Sequence, residues 1–287
     1  MLDKVSIKCY IKIMNKLKIE KQVQVVAALV EGTSINATCR MTGTAKNTVL
    51  KLLADIGPVC LDYQDKAFRN LTCKRLQCDE IWSFCYAKEK NVPKEKKGCF
   101  GYGDMWTFTA ICADTKLVPS WYVGSRTIED ATIFLKDLDG RLQNRVQLTT
   151  DGHKMYLWAV DNAFGGDVDF SQLHKIYGSA PDAEVRYSPA ECIGVEAKKV
   201  QGNPDDEHIS TSYVERQNLT MRMSMRRFTR LTNGFSKKAE NLVHAVSLYF
   251  MHYNFCRIHQ TLRITPAMAA GVTDRLWEIE DIIALLK

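Results

Sequence analysis

Three acidic residues in this sequence sit where a carboxylate is costly unless something compensates it: Asp79, Asp151 and Glu215. Asp79 lies inside the alternating run Leu76–Tyr86, and an unpaired carboxylate in a strand core costs roughly 1–3 kcal/mol, more when ionised. Asp151 follows the β-rich segment Val146–Thr150 and precedes Gly152. That is the carboxyl end of a strand, where α/β ligand sites gather, although Asp-Gly by itself is also an ordinary turn. Glu215 opens a helical stretch. At about 100° per residue it shares one face with Asn218, Leu219, Arg222 and Arg226. Glu80 adjoins Asp79, but strand side chains alternate, so Glu80 should leave on the Trp82 and Phe84 side and only Asp79 should enter the site, barring a bulge.

Brought together without a counter-ion, three carboxylates would raise one another's pKa. Two Mg²⁺ ions about 3.5–4 Å apart would turn them into hard oxygen ligands suited to activating water at a phosphodiester, and Mn²⁺ can substitute. Zinc hydrolysis fits less well, because the six histidines form no H-E-x-x-H pair.

Basic charge is concentrated near Glu215. Net charge is only +6, from 39 Lys and Arg against 33 Asp and Glu. Residues 216–238 nevertheless hold Arg216, Arg222, Arg226, Arg227, Arg230, Lys237 and Lys238 with no acid. These charges repel one another in a folded chain, and a nucleic-acid backbone would compensate them through counterion release.

The elements that must position these residues read as follows. At 287 residues, 46% hydrophobic and 25% charged, the composition is globular and excludes whole-chain disorder. Residues 1–58 read as short helices without strand alternation. Lys21–Val30 carries an apolar stripe, Ile35–Met41 stops at Gly43, and Ala45–Ile56 is capped by Thr44 and ended by Gly57-Pro58. This is a helix-turn-helix pattern whose third helix opens with Lys46, Asn47 and Thr48, types that contact phosphates and base edges. A generic three-helix bundle fits it equally well.

Residues 59–72 read as a linker, and 73–287 as a second domain. Strands are expected over Leu76–Tyr86, Met105–Ala113 and Leu117–Val123, then a helix from Thr127 to Leu142 with Thr127 and Asp130 as a capping pair. A strand at Val146–Thr150, a helix at Met155–Phe164 and a strand within Asp169–Tyr177 follow. Residues 178–209 read as an irregular insertion, and the chain is helical from Tyr213. The order βββαβαβ then α is RNase H-like: a mixed α/β sheet with flanking helices, preceded by a small all-α domain.

No segment reaches the ~20 apolar residues of a membrane span, and Met1–Ile13 is too charged for a signal core. Ten cysteines with no C-x-x-C pair suggest reduced thiols in a cytosol rather than a zinc motif.

Ordered together, Cys78-Asp79-Glu80-Ile81-Trp82-Ser83-Phe84, Thr150-Asp151-Gly152 and Tyr213-Val214-Glu215-Arg216-Gln217-Asn218 with Arg222 resemble the motifs of DDE transposases. The resemblance is to the bacterial insertion sequence one family and its single-reading-frame relatives. Asn233-Gly234-Phe235-Ser236-Lys237-Lys238 and the run from His252-Tyr253-Asn254 to Arg257-Ile258-His259-Gln260 resemble the same group, so the similarity spans residues 75–272. It implies an RNase H-like catalytic domain with Asp79, Asp151 and Glu215 as catalytic metal ligands, and Arg222 as a basic DNA contact. It also implies double-stranded DNA as substrate, cleavage at element ends, strand transfer by a homodimer or larger assembly, and a nucleoid-associated setting in a prokaryotic host. The N-terminal cysteine zinc motif of some family members is absent. A catalytically inactive DNA-binding regulator or domesticated relative is the alternative, and a plain RNase H-like nuclease a third reading.

Overall fold

A single six-stranded sheet organises the chain, in a computed structural model that describes residues 16–178, 192–229 and 232–287. The segments Met1–Ile13 and 179–191 of the expected insertion lie outside the described residues, as does Arg230. Helices α1 (Ile19–Val30), α2 (Ile35–Thr42) and α3 (Lys46–Ala67) come first. Strands β1 (Arg75–Cys85), β2 (Gly103–Cys112) and β3 (Ser120–Gly124) form an antiparallel meander. Then come α4 (Ile128–Asp139), β4 (Val146–Asp151), α5 (Met155–Phe164), β5 (Val168–Tyr177) and β6 (Cys192–Gln201). Helices α6 (Ser212–Ser224), α7 (Ala239–Phe255), α8 (Pro266–Ala269) and α9 (Ile279–Ala284) complete the chain. The strand order is β3-β2-β1-β4-β5-β6, with β4 parallel to β1 and β5, and β6 antiparallel to β5. This is the expected mixed α/β sheet with flanking helices after an all-helical start.

Local signals held where no distant partner intervened. Thr127 Oγ1 accepts from Asp130 N at 3.2 Å, so α4 starts at its expected cap, and Gly43 ends α2 with a φ of 65°. Three expectations are corrected. Thr44 does not cap α3: Ala45 is the cap residue, and the Thr44 hydroxyl is buried without a partner. The expected irregular insertion contributes β6, whose largely exposed residues pair only with β5. Ile193, Val195 and Ala197 do alternate with Gly194, Glu196 and Lys198, a short strand signal that the reading of this stretch as irregular passes over.

The third correction is that α3 does not stop at Gly57-Pro58 but continues to Ala67, so residues 59–67, read as linker, are helical. A helix-interior proline costs about 3 kcal/mol, and α7 supplies the compensation. A Cβ at Gly57 would sit 2.5 Å from His244 Cβ, so only glycine admits the approach. Ser247 Oγ donates to the Gly57 carbonyl at 2.8 Å, and Gln64 Nε2 donates to the Ser247 carbonyl at 3.2 Å.

Helix α7 links the N-terminal helices to the sheet. Val246, Tyr249, Phe250 and Tyr253 pack in a cluster with Ile81 and Met105 of the sheet. Leu248, Met251 and Phe255 join a second cluster with Val25, Val26, Leu53 and Ile56 of α1 and α3. That second cluster also takes in Phe108, Phe134, Leu148 and Tyr156, so one continuous core runs from the N-terminal helices to the face of the sheet beneath α4 and α5.

Candidate metal centre

Strand β1 builds the site by outrunning its neighbour. It pairs with β4 only as far as Cys78 opposite Thr150, and β4 ends at Asp151. From Asp79 until the isolated bridge of Cys85 to Ser236, no strand among the described residues flanks this edge of β1. Asp79 leaves toward α6: its Oδ1 accepts from Glu80 N at 2.8 Å, and its Oδ2 from Asn218 Nδ2 at 2.9 Å. Glu80 leaves on the opposite face, as alternation requires. There its Oε2 accepts from the Tyr156 hydroxyl at 2.9 Å and its Oε1 from Arg126 Nε at 2.5 Å. Around the open edge, one oxygen each of Asp79, Glu80 and Asp151 fall within 4.8 Å of one another. The expectation that alternation keeps Glu80 out of the site is therefore corrected, and no bulge is needed because β1 stays in register with β2 throughout.

Glu215 enters from the first turn of α6, and β1 itself sets the start of that helix. Gln77 Oε1 accepts from the backbone N of Tyr213 at 2.8 Å and of Val214 at 3.1 Å. It caps α6 from two residues before Asp79, so one strand fixes both acids. Glu215 Oε2 pairs with Lys175 Nζ at 2.5 Å, and Thr211 Oγ1 donates to Oε1. Asp79, Asp151 and Glu215 line one open cleft of about 460 Å³, with His153, Lys175 and Thr211 also on its wall. Gln77→Ala is expected to destabilise the protein by about 1 kcal/mol, the scale of a lost N-cap, and to loosen α6. Urea unfolding together with hydrogen exchange at Tyr213 and Val214 checks this, and unaltered protection there would remove the capping role.

The electrostatics favour a cation. Burial, then the nearby Asp151, pushes the Asp79 carboxyl from an ordinary 3.8 up to about 6. Glu80 rises from 4.5 to about 7 through burial, Asp151 and Asp79, against the opposing pull of Arg126 and Tyr156. Arg126 lies over the Trp106 ring at 4.5 Å and reaches to 3.8 Å from Asp151 Oδ2. Hard oxygen donors whose ionised forms are disfavoured by burial and mutual repulsion fit Mg²⁺ or Mn²⁺, which would stabilise those forms.

The raised values predict how metal-free stability depends on pH. Between about pH 4.5 and 7 the folded protein keeps a proton on Glu80 that the unfolded chain has released, so stability falls as pH rises through that window and levels off above it. Glu80→Gln should flatten this decline in urea unfolding followed across the window with chelator present. An unchanged slope would assign it to other groups.

The remaining sequence candidates scatter. Lys46 and Asn47 are exposed and Thr48 half-buried at the start of α3. Arg216 is exposed and Arg222 half-buried on α6. Asn218, expected as a DNA contact, is only 5% exposed and holds Asp79 instead. Arg226 does not continue the Glu215 face, because α6 ends at Ser224 and Met225 turns to extended backbone. Sequence reasoning set Glu80 aside and missed Gln77, Arg126, Tyr156 and Lys175. A signal existed for Gln77, a polar residue in an apolar strand on the same face as Asp79. None existed for Arg126, Tyr156 and Lys175, whose partners are remote in the chain.

No family model matches the chain, and no curated protein does. Among solved structures, the piggyBac transposase synaptic complex with hairpin DNA, determined by cryo-EM, is similar at 9% identity and a TM-score of 0.42, covering 93% of this chain and 69% of that one. The Mos1 Strand Transfer Complex is similar at 10% identity and a TM-score of 0.25, covering 84% of this chain and 76% of that one. Scores of this size leave any functional reading to rest on the carboxylates and the charge around them.

Proposed function

We propose that the chain is a DDE-type DNA transposase, cleaving DNA at the ends of an insertion sequence and joining them to target DNA. Asp79, Asp151 and Glu215 would hold two Mg²⁺ ions, with Mn²⁺ able to replace them; Glu215 lines the same cleft from α6 but stands outside the 4.8 Å group of Asp79, Glu80 and Asp151. The observation that carries this reading is that three acids far apart in sequence line one open cleft, on a sheet whose βββαβαβ order fits an RNase H-like catalytic domain. Divalent ions at such a centre provide a nucleophilic water near neutral pH and charge neutralisation at phosphorus. The residues of the chain position and hold. Asn218 and Gln77 fix Asp79 and the start of α6, and Arg126 holds Glu80 and lies beside Asp151. Lys175 and Thr211 orient Glu215.

Around the cleft, Arg216 and Arg222 on α6 are the proposed contacts to duplex DNA, and Lys46, Asn47 and Thr48 those to the inverted repeats. Asn218 acts through Asp79. Pairing two element ends calls for a dimer or larger assembly on DNA, in a prokaryotic cytoplasm. Among the described residues no helix is long and apolar enough to cross a membrane. The test is incubation of the full chain with labelled DNA carrying candidate ends and a target plasmid, with Mg²⁺ or with chelator. Metal-dependent nicking followed by joined products is expected. Binding without nicking would indicate a DNA-binding regulator, and nicking without joining a nuclease.

A further inference from the structure

A second cavity, of about 330 Å³, lies between the N-terminal helices and the segment joining α6 to α7. Lys46, Arg226, Arg227 and Lys237 line it, and no acidic side chain does. Among the described residues none of these four forms an ion pair with a carboxylate. Arg227 donates to Ser236 Oγ at 2.7 Å, and Lys237 Nζ lies 3.7 Å from the centre of the Phe235 ring. Two helix starts face the same space: α2, where Ser34 Oγ already accepts from Ala37 N at 3.1 Å, and α3, which begins at Lys46 and whose cap residue Ala45 offers no side-chain acceptor. The first N–H groups of a helix lack intrahelical partners, and its dipole favours an anion there.

The strap Asn233-Gly234-Phe235-Ser236-Lys237 is shaped to this place. A Cβ at Gly234 would lie 2.8 Å from both Arg226 Cγ and its carbonyl oxygen, so the glycine lets the strap close over Arg226. The floor is apolar, from Leu53 of α3 and Leu248 of α7. Four cations and the uncapped start of α3, with no acid among them, repel one another unless an anion is bound. Lys46, Arg226 and Lys237 are exposed at the mouth, as a passing polymer backbone requires and an enclosed small anion does not.

We infer that this cavity is a phosphate clamp for the backbone of duplex DNA, formed jointly by the start of α3 and the Asn233–Lys237 strap. It rests on the DNA-directed reading above, and it assigns Lys46 to the backbone rather than to base edges. Because α3 is held rigidly on α7, a clamp spanning both fixes the path of the DNA relative to the carboxylate cleft.

The test measures binding of the full-length protein to a fluorescein-labelled duplex by anisotropy across a salt series. Lys46→Gln with Lys237→Gln, both surface changes, should flatten the dependence of log K on log salt by about 0.9 for each lysine that contacts a phosphate. Lys66→Gln, at the far end of α3, should leave it unchanged. Thermal denaturation with inorganic phosphate against chloride at equal ionic strength forms the second arm. Absence of duplex binding by the wild-type chain would remove the transposase reading and the clamp with it. Wild-type binding with an unchanged slope in the double variant would overturn the clamp alone. Loss of a phosphate-induced shift together with an unchanged DNA slope would make the cavity a site for a free oxyanion and equally overturn the clamp.

Discussion

Asp79→Asn is expected to lower metal-dependent DNA cleavage by about 10³-fold, the scale of losing a group that acts in the transition state, while duplex affinity stays within about twofold. The substitution is nearly isosteric but removes the charge that faces the cleft. It also replaces an acceptor of two hydrogen bonds, from Glu80 N and Asn218 Nδ2, by a group that can accept only one of them on its oxygen. The fold should tolerate the change. Burial already pushes the Asp79 carboxyl up to about 6, so a neutral side chain relieves a disfavoured ionised form. A cleavage time course with Mg²⁺, paired with anisotropy on the same duplex, separates the possibilities. Normal cleavage by the variant would remove Asp79 from the reaction. Parallel loss of binding and cleavage would make its role structural.

Phe255→Ala should destabilise the whole chain by about 3–5 kcal/mol, the range for a large buried aromatic. Phe255 is fully buried and touches three rings, two from the end of α3 and one from the segment before α9. It stacks on Phe68 at 5.6 Å, meets Tyr63 of α3 edge-on at 5.5 Å and lies 5.0 Å from Trp277. Because it sits in a core continuous from α1 to the sheet, its loss should shift one cooperative transition rather than release the N-terminal helices first. Urea unfolding followed by circular dichroism and by tryptophan fluorescence should give coincident curves for wild type and variant. An early helical transition that leaves the fluorescence change behind would show that the N-terminal helices fold as an independent unit. The phosphate clamp, which needs α3 fixed on α7, would then lose its support.

Much of the molecule was legible from local chemistry. Alternation gave β1 and sent Asp79 and Glu80 to opposite faces, as found. The Thr127 and Asp130 pair marked the start of α4. The segment Val146–Thr150 with Asp151 after it placed an acid at a strand end. Each of these rests on forces between residues a few positions apart, which a single sequence records.

What the sequence could not show depends on partners far along the chain. Whether α3 survives Pro58 is decided by Ser247 and His244, which meet Gly57 only in the folded state. Whether Glu80 joins Asp79 is decided by where β4 stops, since alternation fixes a direction but not the end of the neighbouring strand. Asn218 turned from a surface contact into a buried support because α6 lies against β1, and β6 formed because β5 offered an edge to pair with. Local propensities amount to tenths of a kcal/mol per residue, whereas burial and long-range hydrogen bonds contribute whole kcal/mol at single positions. The sequence therefore determined most of the elements and the acids this protein has. The tertiary structure decided that β6 forms, where the other elements end and which side chains share the cleft.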